Sequence, residues 1–327
     1  MYCNMHCFET QTIERKCRIL LHYVKQCNGI CTSKRRLDGR TVIITGGTSG
    51  MGLEIAVDLA ERGARVIVAC PFEDEGETGT KAIIQRSGSD NVVFKLLDLS
   101  LMSSVRKFAK DILENERRVD ILVNNAGTCA RQQFHTSDGL NYIMAVNYYG
   151  AYLLTLLLPL LRKSKDEPAR IINVSSVLHY FGLIDIENLN SVNRSTSAVR
   201  VYANSKLCLT LFTMELARRI KSNAIIHAVD PGAVGTPIYL TFAGKIGILA
   251  TIILKYVQKT PWEGMQTALH VTLDREAGST SGGFYRNCEP ARARKTAYDE
   301  KLAGRLWTES ARLVNLSEED VQNLLYK

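Results

Sequence analysis

The 327-residue sequence lacks a long, uncharged apolar run. A membrane-spanning helix needs about 18 or more such residues in succession. The nearest segment, "IGILATIILKYV" at 246–257, follows Lys245 and contains Lys255. It is either a buried or lid helix, or a helix seated on a membrane surface. The early run "ILLHYV" at 19–24 is interrupted by His22 and flanked by charge, so no secretory signal is predicted.

Excess positive charge is also scarce over most of the chain. The net charge is +8, but residues 1–40 hold eight Lys or Arg against three acids and account for +5, which leaves +3 for residues 41–327. So small an excess argues against a nucleic-acid-binding surface. Residues 1–40 are expected to form a basic, cysteine-rich extension. No internal repeat or low-complexity linker divides 41–327, which predicts a single domain.

Paired cysteines are not indicated either. Nine cysteines are an odd number at irregular spacing, which argues against a disulfide framework and favours a reducing compartment. Five of them fall early: Cys3, Cys7, Cys17, Cys27 and Cys31. Their four-residue separations match no tight zinc pattern, so no metal site is predicted. Lipid attachment to one of them, beside the basic residues, is an open alternative.

From residue 41 onward, short apolar runs alternate with helical patterns. The runs are rich in β-branched residues, as strands of a buried parallel sheet are. They lie at 41–45, 65–70, 92–96, 120–125, 170–176 and 224–230. Helical patterns cover about 50–62, 101–115, 138–162 and 199–221. This alternation predicts an α/β fold of the Rossmann type, a doubly wound parallel sheet that binds ligands at the carboxyl ends of its strands.

The first strand leads directly into "TGGTSGMG" at 45–52. Gly46, Gly50 and Gly52 would allow a tight turn and a close approach of backbone to a diphosphate, at a helix N-terminus that attracts anions. Glycines alone are compatible with a plain strand-to-helix turn. Their position after the first strand favours a dinucleotide site.

A second stretch, "VYANSKLCLTLF" at 201–212, holds Tyr202 and Lys206 one helical turn apart. Residues four apart share a helix face, so the hydroxyl and the ammonium can point into one cleft and form an acid/base site. The alternative is an amphipathic helix on whose surface both residues lie without a role.

Seven motifs taken together are similar to those of the short-chain dehydrogenase/reductase family, in order and in approximate spacing. They are Thr45-Gly46 with Gly50 and Gly52, Asp98, "NNAG" at 124–127, Asn147, Ser176, "YANSK" at 202–206 and "DPGAVGT" at 230–236. The resemblance covers nearly all of the chain from residue 40 onward.

Within that family the sequence most resembles the retinol-dehydrogenase-like branch. The 26-residue separation between Ser176 and Tyr202, the "TPWEG" segment at 260–264 and "SGGFYRNC" at 281–288 are typical of that branch. The segment "VDPGAVGTPIY" at 229–239 is closest to the X-linked dehydrogenase/reductase type, whose substrates include polyprenols and dolichal.

The resemblance implies a catalytic set of Asn147, Ser176, Tyr202 and Lys206. A free tyrosine has a pKa near 10, and bringing it to about 7 requires roughly 4 kcal/mol in favour of the phenolate. Lys206 and the positive nicotinamide ring would supply this stabilisation. In the family pattern Tyr202 is the catalytic acid/base. Ser176, rather than Ser175, donates a hydrogen bond to the substrate oxygen, and Asn147 binds a water that relays protons.

The resemblance also implies a set of residues around the cofactor, with Asp98 accepting from the adenine amino group. The set is Thr45, Gly46, Thr48, Ser49, Gly50, Met51, Gly52, Asp98, Asn125, Ala126, Gly127, Tyr202, Lys206, Pro231, Gly232 and Thr236.

The choice between NAD and NADP is weakly encoded. In the family an acid at the end of the second strand selects NAD, and arginines there or before the second motif glycine select NADP. Those positions hold Cys70, Pro71 and Phe72, and Ser49. The nearby acids at 73–74 favour NAD slightly, and dual use is compatible with the sequence.

The substrate is expected to be a lipophilic alcohol, aldehyde or ketone, because the lid at 237–260 is strongly apolar. Residues 1–40 and 238–257 are expected to contact a membrane, so the protein is expected to be intracellular, cytoplasmic, and peripherally bound to the endoplasmic reticulum or lipid droplets. Family members often pair through the helices that carry the positions of Asn147 and Tyr202, which implies a homodimer. A non-catalytic dinucleotide-binding redox sensor and a membrane-surface interaction protein are the alternatives, and the complete catalytic set counts against both.

Overall fold

The structure, a computed structural model, describes residues 29–130, 132–158, 167–192, 196–220, 224–235 and 258–326. Its strands are β1 (Thr41–Thr45), β2 (Arg65–Cys70), β3 (Val92–Leu96), β4 (Ile121–Asn124), β5 (Ala169–Val174), β6 (Ala224–Asp230), β7 (Gly283–Arg286) and β8 (Glu289–Ala291).

The helices alternate with these strands. They are α1 (Gly50–Glu61), α2 (Glu73–Ser87), α3 (Met102–Asn115), α4, α5 (Ala198–Arg219), α6 (Pro261–Leu273), α7 (Glu300–Leu313) and α8 (Glu318–Tyr326). Helix α4 is continuous over Tyr142–Met144, a π-helical turn at Ala145–Tyr149, and Gly150–Leu157. Short 3₁₀ turns lie at Val177–Phe181, Ala277–Ser279 and Lys295–Tyr298.

All eight strands form one sheet in the order β3-β2-β1-β4-β5-β6-β7-β8. Strands β1 to β7 are parallel, and β8 pairs with β7 in the antiparallel sense. Ile44 of β1 lies opposite Val68 of β2 on one side and Val123 of β4 on the other. The strand order reverses at β1, so the crevice beyond the carboxyl ends of β1 and β4 is where such a sheet binds ligands.

The central strands are buried because helices cover both faces of the sheet. β1 and β6 are buried along their whole length. On one face α3, α4, α5 and α7 enclose a core that includes Phe212 and Trp307. On the other face α1, α2 and α6 enclose a second core around Ile55 and Leu269. Buried strands of this kind are the reason that the sequence shows continuous apolar runs.

The predicted doubly wound parallel sheet is confirmed, but strands β7 and β8 and helices α2, α6, α7 and α8 were absent from the prediction. Helix α2 is the one of these helices that lies between predicted strands. Helix α2 reads "EDEGETGTKAIIQRS" and has few apolar positions. Its buried face is made by Gly76, Gly79 and Ile83. A Cβ at Gly76 would lie 2.3 Å from the ring of Phe94, and one at Gly79 would lie 2.8 Å from Thr48. The helix therefore packs closely because two positions of its buried face are glycine. A search for regularly spaced apolar residues does not detect such a helix.

Helix α4 also differs from the prediction. The pattern predicts a helix from residue 138, but the observed helix begins at Tyr142, where the Asn141 side chain accepts hydrogen bonds from the backbone N–H groups of Ile143 and Met144. Such a cap fixes the first turn. Asn147 lies in the π-helical turn rather than in regular α-helix.

The described part of the predicted extension packs onto the domain. Leu37 is buried, the Cys31 N–H donates to Gln266 of α6, and the Arg62 guanidinium donates to the carbonyl oxygens of Ser33 and Arg35. Residues 1–28, and residues 237–257 of the predicted lid, lie outside the described residues. Over the ranges that the structure describes, no helix combines the length and the apolar character needed to cross a bilayer.

Candidate active site

The turn between β1 and α1 requires glycine. Gly46 and Gly50 have φ values of 62° and 52°, in the left-handed region. A Cβ at Gly52 would lie 2.1 Å from the carbonyl oxygen of Gly46, so the helix and the turn approach more closely than a side chain would allow. Within the described chain, the first turn of α1 has no acidic residue and the Ser49 side chain makes no capping bond. Its positive dipole end thus faces the crevice without an acidic side chain from its own first turn.

Side-chain hydrogen bonds join the end of β1 to the chain directly after β4. The Asn125 Nδ2 group donates to the carbonyl oxygens of Thr45 and Gly46, at 3.0 and 3.1 Å. The Thr45 hydroxyl accepts from the backbone N–H groups of Asn125 and Ala126, both at 3.1 Å. These bonds hold the chain after β4 against the glycine turn, and so fix one wall of the crevice.

Helix α5 brings Tyr202 and Lys206 to this crevice. Its N-cap is Ser197, whose side chain accepts a hydrogen bond from the Arg200 N–H, and the helix is buried at almost every position from Val201 to Leu216. Tyr202 is 7% exposed and Lys206 is 3% exposed. The Lys206 Nζ lies 5.7 Å from the centroid of the Tyr202 ring and donates to the carbonyl oxygen of Val174, at 2.8 Å.

Burial controls the charge of Lys206. Removal from water disfavours the ammonium form and lowers the pKa of Lys206 to about 8. The ammonium is therefore still the main form at neutral pH. It is a buried cation whose described hydrogen-bond partner is one backbone carbonyl.

The two serines after β5 have different surroundings. The Ser175 hydroxyl lies 2.9 Å from the Thr210 hydroxyl of α5 and also bonds the Lys206 carbonyl oxygen. The Ser176 hydroxyl caps the following turn by accepting from the Leu178 N–H, at 3.2 Å, and it lines the crevice. Both serines are in the lining of the crevice, but the Ser175 hydroxyl is engaged with α5, whereas the Ser176 hydroxyl, among the described residues, bonds only within its own turn.

Asn147 lies behind the crevice rather than in its lining. Its Oδ1 accepts from the Thr128 N–H at 2.7 Å, and its Nδ2 donates to the Thr128 carbonyl oxygen and to the Ser205 hydroxyl, at 2.9 and 3.0 Å. The Ser205 hydroxyl in turn donates to the carbonyl oxygen of Tyr202. Asn147 thus connects the chain after β4 to the helix that carries Tyr202.

The crevice is a cleft of about 380 Å³. All the predicted catalytic and cofactor residues that the structure describes line it, except Asn147. Thr236 lies outside the described residues. The cleft is also lined by residues that the sequence did not predict, among them Glu75, Tyr142 and Val146. Glu75 directly follows the acids at 73–74, which lie near the expected cofactor site. No sequence motif marks Tyr142 or Val146 as a site residue.

The floor of the cleft suits a group that needs close access to the backbone. A Cβ at Gly127 would lie 3.3 Å from the Lys206 Nζ and 3.6 Å from the Asn147 Oδ1. Glycine at 127 therefore leaves the lysine accessible from the cleft. With the turn at Gly46 and Gly50 and the open end of α1, this cradle fits a dinucleotide. Among the residues that the structure describes, no group of three His, Cys, Asp or Glu side chains could hold a metal ion.

Comparison with known proteins agrees with this geometry. The family model described as short chain dehydrogenase matches residues 40–243. The chain belongs to the short-chain dehydrogenase/reductase family. Retinol dehydrogenase 11 of Homo sapiens is 38% identical over 293 residues, covering 88% of this chain and 90% of the relative. Retinol dehydrogenase 13 of Homo sapiens is 37% identical over 300 residues, covering 90% of each.

Solved structures share the fold of this short-chain dehydrogenase. A crystal structure of a Mycobacterium paratuberculosis protein has a TM-score of 0.71 at 29% identity, covering 88% of this chain and 98% of that one. The Pseudomonas aeruginosa RhlG/NADP complex has a TM-score of 0.61 at 25% identity, covering 77% and 95%. The protein is an oxidoreductase of the retinol-dehydrogenase-like branch that binds a nicotinamide dinucleotide.

Proposed function

We propose that this enzyme transfers hydride between a nicotinamide dinucleotide and a hydrophobic, retinoid-like alcohol or aldehyde, with Asn147, Ser176, Tyr202 and Lys206 as the catalytic set. The observation that carries the proposal is the buried Lys206 ammonium, one helical turn from Tyr202 in the dinucleotide cleft. The retinol dehydrogenases among its relatives support the substrate class. A bound nicotinamide accepts or donates the hydride.

Tyr202 moves the hydroxyl proton of the substrate. Its phenolate is the base for alcohol oxidation, and its phenol is the acid for carbonyl reduction. Lys206 stabilises the phenolate through its charge at short range and in a partly dry site, where a charge acts more strongly than in water. Because its hydrogen bond to Val174 takes up one of its three N–H groups, the other two can reach a ribose hydroxyl.

Ser176 donates a hydrogen bond to the substrate oxygen and stabilises the charge that develops there. Its position at the carboxyl end of β5, in the lining of the cleft, supports this role. Asn147 acts through its three bonds to Thr128 and Ser205, which keep the cleft floor and the Tyr202 turn together. A water held near Asn147 would complete a proton path from Lys206 to solvent.

NAD is the preferred cofactor in this proposal. The described residues at the β2 end of the cleft include the carboxylates of Glu75 and Asp98, and Lys206 at the opposite end is the one cation in the described lining. The Asp98 carboxylate is held by the N–H and hydroxyl groups of Ser100. A 2′-phosphate would meet negative charge without an arginine or lysine partner, so NADP binds more weakly.

The finer features of location and assembly are part of the proposal too. The apolar lid at 237–260, together with 1–40, supports peripheral attachment to the endoplasmic reticulum or to lipid droplets, from which a lipophilic substrate enters sideways. Polyprenols are a second lipid class compatible with such a lid. Residues 1–40 act as a basic extension to the 41–327 domain. A homodimer stays a prediction from the family. The non-catalytic alternatives are not favoured, because the chain belongs to an oxidoreductase family.

The deciding experiment measures turnover of all-trans-retinol with NAD⁺ and with NADP⁺, by chromatography of the retinal formed. Tyr202→Phe is expected to abolish turnover while retaining NADH binding. Tyr149→Phe is the matched control, because the buried Tyr149 hydroxyl has no hydrogen-bond partner in the described part of the chain. Full activity in Tyr202→Phe would refute the mechanism. Dinucleotide binding with turnover of a polyprenol but of no retinoid would refute the substrate class alone.

A further inference from the structure

His179 is a fully buried histidine that the chemistry of Tyr202 and Lys206 does not use. It lies in the turn Val177–Phe181, directly after Ser176. The ring Nδ1 is 2.6 Å from the carbonyl oxygen of Ser176, and the ring Nε2 is 3.1 Å from the backbone N–H of Arg294. The ring also packs against Tyr180 and Phe284, with centroids 4.1 and 5.0 Å away.

These two contacts select one form of the imidazole. A carbonyl oxygen can only accept and an amide N–H can only donate, so His179 must carry its proton on Nδ1 and a lone pair on Nε2. A second proton on Nε2 would face the Arg294 N–H and break that bond. Burial lowers the pKa of His179, and the nearby Arg286 and Arg294 act in the same direction, against Asp230.

The partner of His179 comes from a distant segment, residues 292–294, which we call the C-terminal strap. Besides the bond to His179, the Arg294 guanidinium donates to the carbonyl oxygens of Tyr180 and Gly182, and the Tyr180 hydroxyl donates to the carbonyl oxygen of Arg292. The strap follows β8 and lies beyond residue 243, where the match to the family model ends. The turn after Ser176 is therefore held by a part of the chain that this model does not cover.

The orientation of the Ser176 hydroxyl depends on the same turn, because this hydroxyl accepts from the Leu178 N–H within it. His179 bonds the carbonyl group of Ser176 itself. We propose that His179 is a positioning residue that fixes the Ser176 hydroxyl in the cleft by tying its turn to the C-terminal strap. This inference rests on the proposed role of Ser176.

The chain offers a matched control for the loss of a buried histidine. His227 in β6 is also buried, and it also makes two backbone bonds, from Nε2 to the Ala277 carbonyl oxygen at 2.8 Å and from the Gly283 N–H to Nδ1 at 3.0 Å. It packs on Tyr285 as His179 packs on Phe284. His227 is not in the lining of the cleft. His227→Phe therefore removes two backbone hydrogen bonds of a buried ring, as His179→Phe does, but outside the lining of the cleft.

A second pair of variants isolates the strap bond. Arg294 has φ −54°, which proline adopts without strain. Arg294→Ala removes only the guanidinium contacts, whereas Arg294→Pro removes those contacts and the N–H that donates to His179, and places the proline Cδ against the His179 ring. The difference between these two variants reports the whole contact between the strap backbone and the His179 ring, the hydrogen bond together with the close fit.

The test compares kcat for reduction of all-trans-retinal by NADH, NADH affinity by nicotinamide fluorescence, and hydrogen exchange of the 177–182 amides. His179→Phe is expected to lower kcat about tenfold through misplacement of Ser176, with NADH affinity unchanged. Arg294→Pro is expected to have a lower kcat and faster exchange than Arg294→Ala. His227→Phe is expected to lower the melting temperature but to leave the kcat of the folded protein unchanged.

Equal kcat in His179→Phe and His227→Phe, corrected for folded protein, would overturn the inference. So would equal exchange of the 177–182 amides in the two Arg294 variants, a readout that needs no turnover and stands even if retinal is not the substrate. Failure of the proposed function is recognised separately: Ser176→Ala would then retain its activity, whatever the His179 variants do.

Discussion

Lys206→Met tests the central physical claim, that a buried cation makes Tyr202 an effective base. The Lys206 Nζ lies 5.7 Å from the Tyr202 ring centroid. At that distance and an effective dielectric constant of about 20, the attraction between ammonium and phenolate is about 3 kcal/mol. That corresponds to about two pH units in the titration of the base and about a hundredfold in its deprotonated fraction.

The assay is the initial rate of all-trans-retinol oxidation at saturating NAD⁺ over a range of pH. In Lys206→Met, the midpoint of the rate is expected to move up by about two pH units, with about a hundredfold lower kcat at pH 7. Lys95→Met is the matched control, because Lys95 in β3 pairs with Asp111 and lies outside the cleft lining. An unchanged midpoint in Lys206→Met would refute the electrostatic role.

The same variant should be more stable than the parent protein. Lowering the pKa of a buried lysine from 10.5 to about 8 means that its ammonium form costs roughly 3 kcal/mol at neutral pH. Loss of the hydrogen bond to Val174 offsets about 1 kcal/mol of this cost. Lys206→Met is therefore expected to gain about 2 kcal/mol in free energy of unfolding, measured in urea. Combined loss of rate and gain of stability cannot result from misfolding.

Three further predictions concern the cleft and the buried histidines. Gly127→Ala places a Cβ 3.3 Å from the Lys206 Nζ and should weaken NADH binding about tenfold, while Gly304→Ala, whose Cβ meets nothing within 4 Å, should not change it. Glu75→Arg should raise NADPH affinity relative to NADH about tenfold by titration, whereas Glu77→Arg, outside the described cleft lining, should leave the ratio unchanged. Burial lowers the pKa values of His179 and His227 in the folded protein, so on acidification these histidines take up protons in the unfolded chain first. The melting temperature should therefore fall as the pH drops below about 6.5. A constant melting temperature between pH 7 and 5 would contradict this expectation.

The sheet was predictable because its strands are buried on both faces. Continuous β-branched runs at 41–45, 65–70 and 224–230 have the same bounds as β1, β2 and β6. Such runs are typical of strands buried in a parallel sheet and are uncommon elsewhere in a globular chain. The glycine turn was predictable for a related reason, since backbone approach at Gly52 leaves no room for a side chain.

Other parts of the cleft were not predictable, because they depend on contacts distant in sequence. Helix α2 packs through Gly76 and Gly79, and neither its existence nor the position of Glu75 follows from an apolar period. Tyr142 reaches the cleft because Asn141 sets the first turn of α4. The bond between His179 and Arg294 joins residues 115 positions apart in the sequence, and no local sequence pattern predicts it.

Helix α5 shows how the site is linked to the rest of the fold. Its inner side bonds to α4 through Ser205 and Asn147. It bonds to β5 and the residue after it through Thr213 with Asn173 and Thr210 with Ser175. Its outer side is covered by α7: the Trp307 ring stacks on Phe212 at 5.8 Å and lies under the Arg219 guanidinium at 4.5 Å.

Helix α4 is covered in the same way, since the Tyr148 hydroxyl lies 2.7 Å from the Ser310 hydroxyl of α7. The C-terminal helices thus occupy the face through which a dimer of the expected kind would pair. A homodimer that pairs at this face would place the partner copy against α7 rather than directly against α4 and α5. Helix α7 therefore keeps water from the outer side of the helix that carries Tyr202 and Lys206.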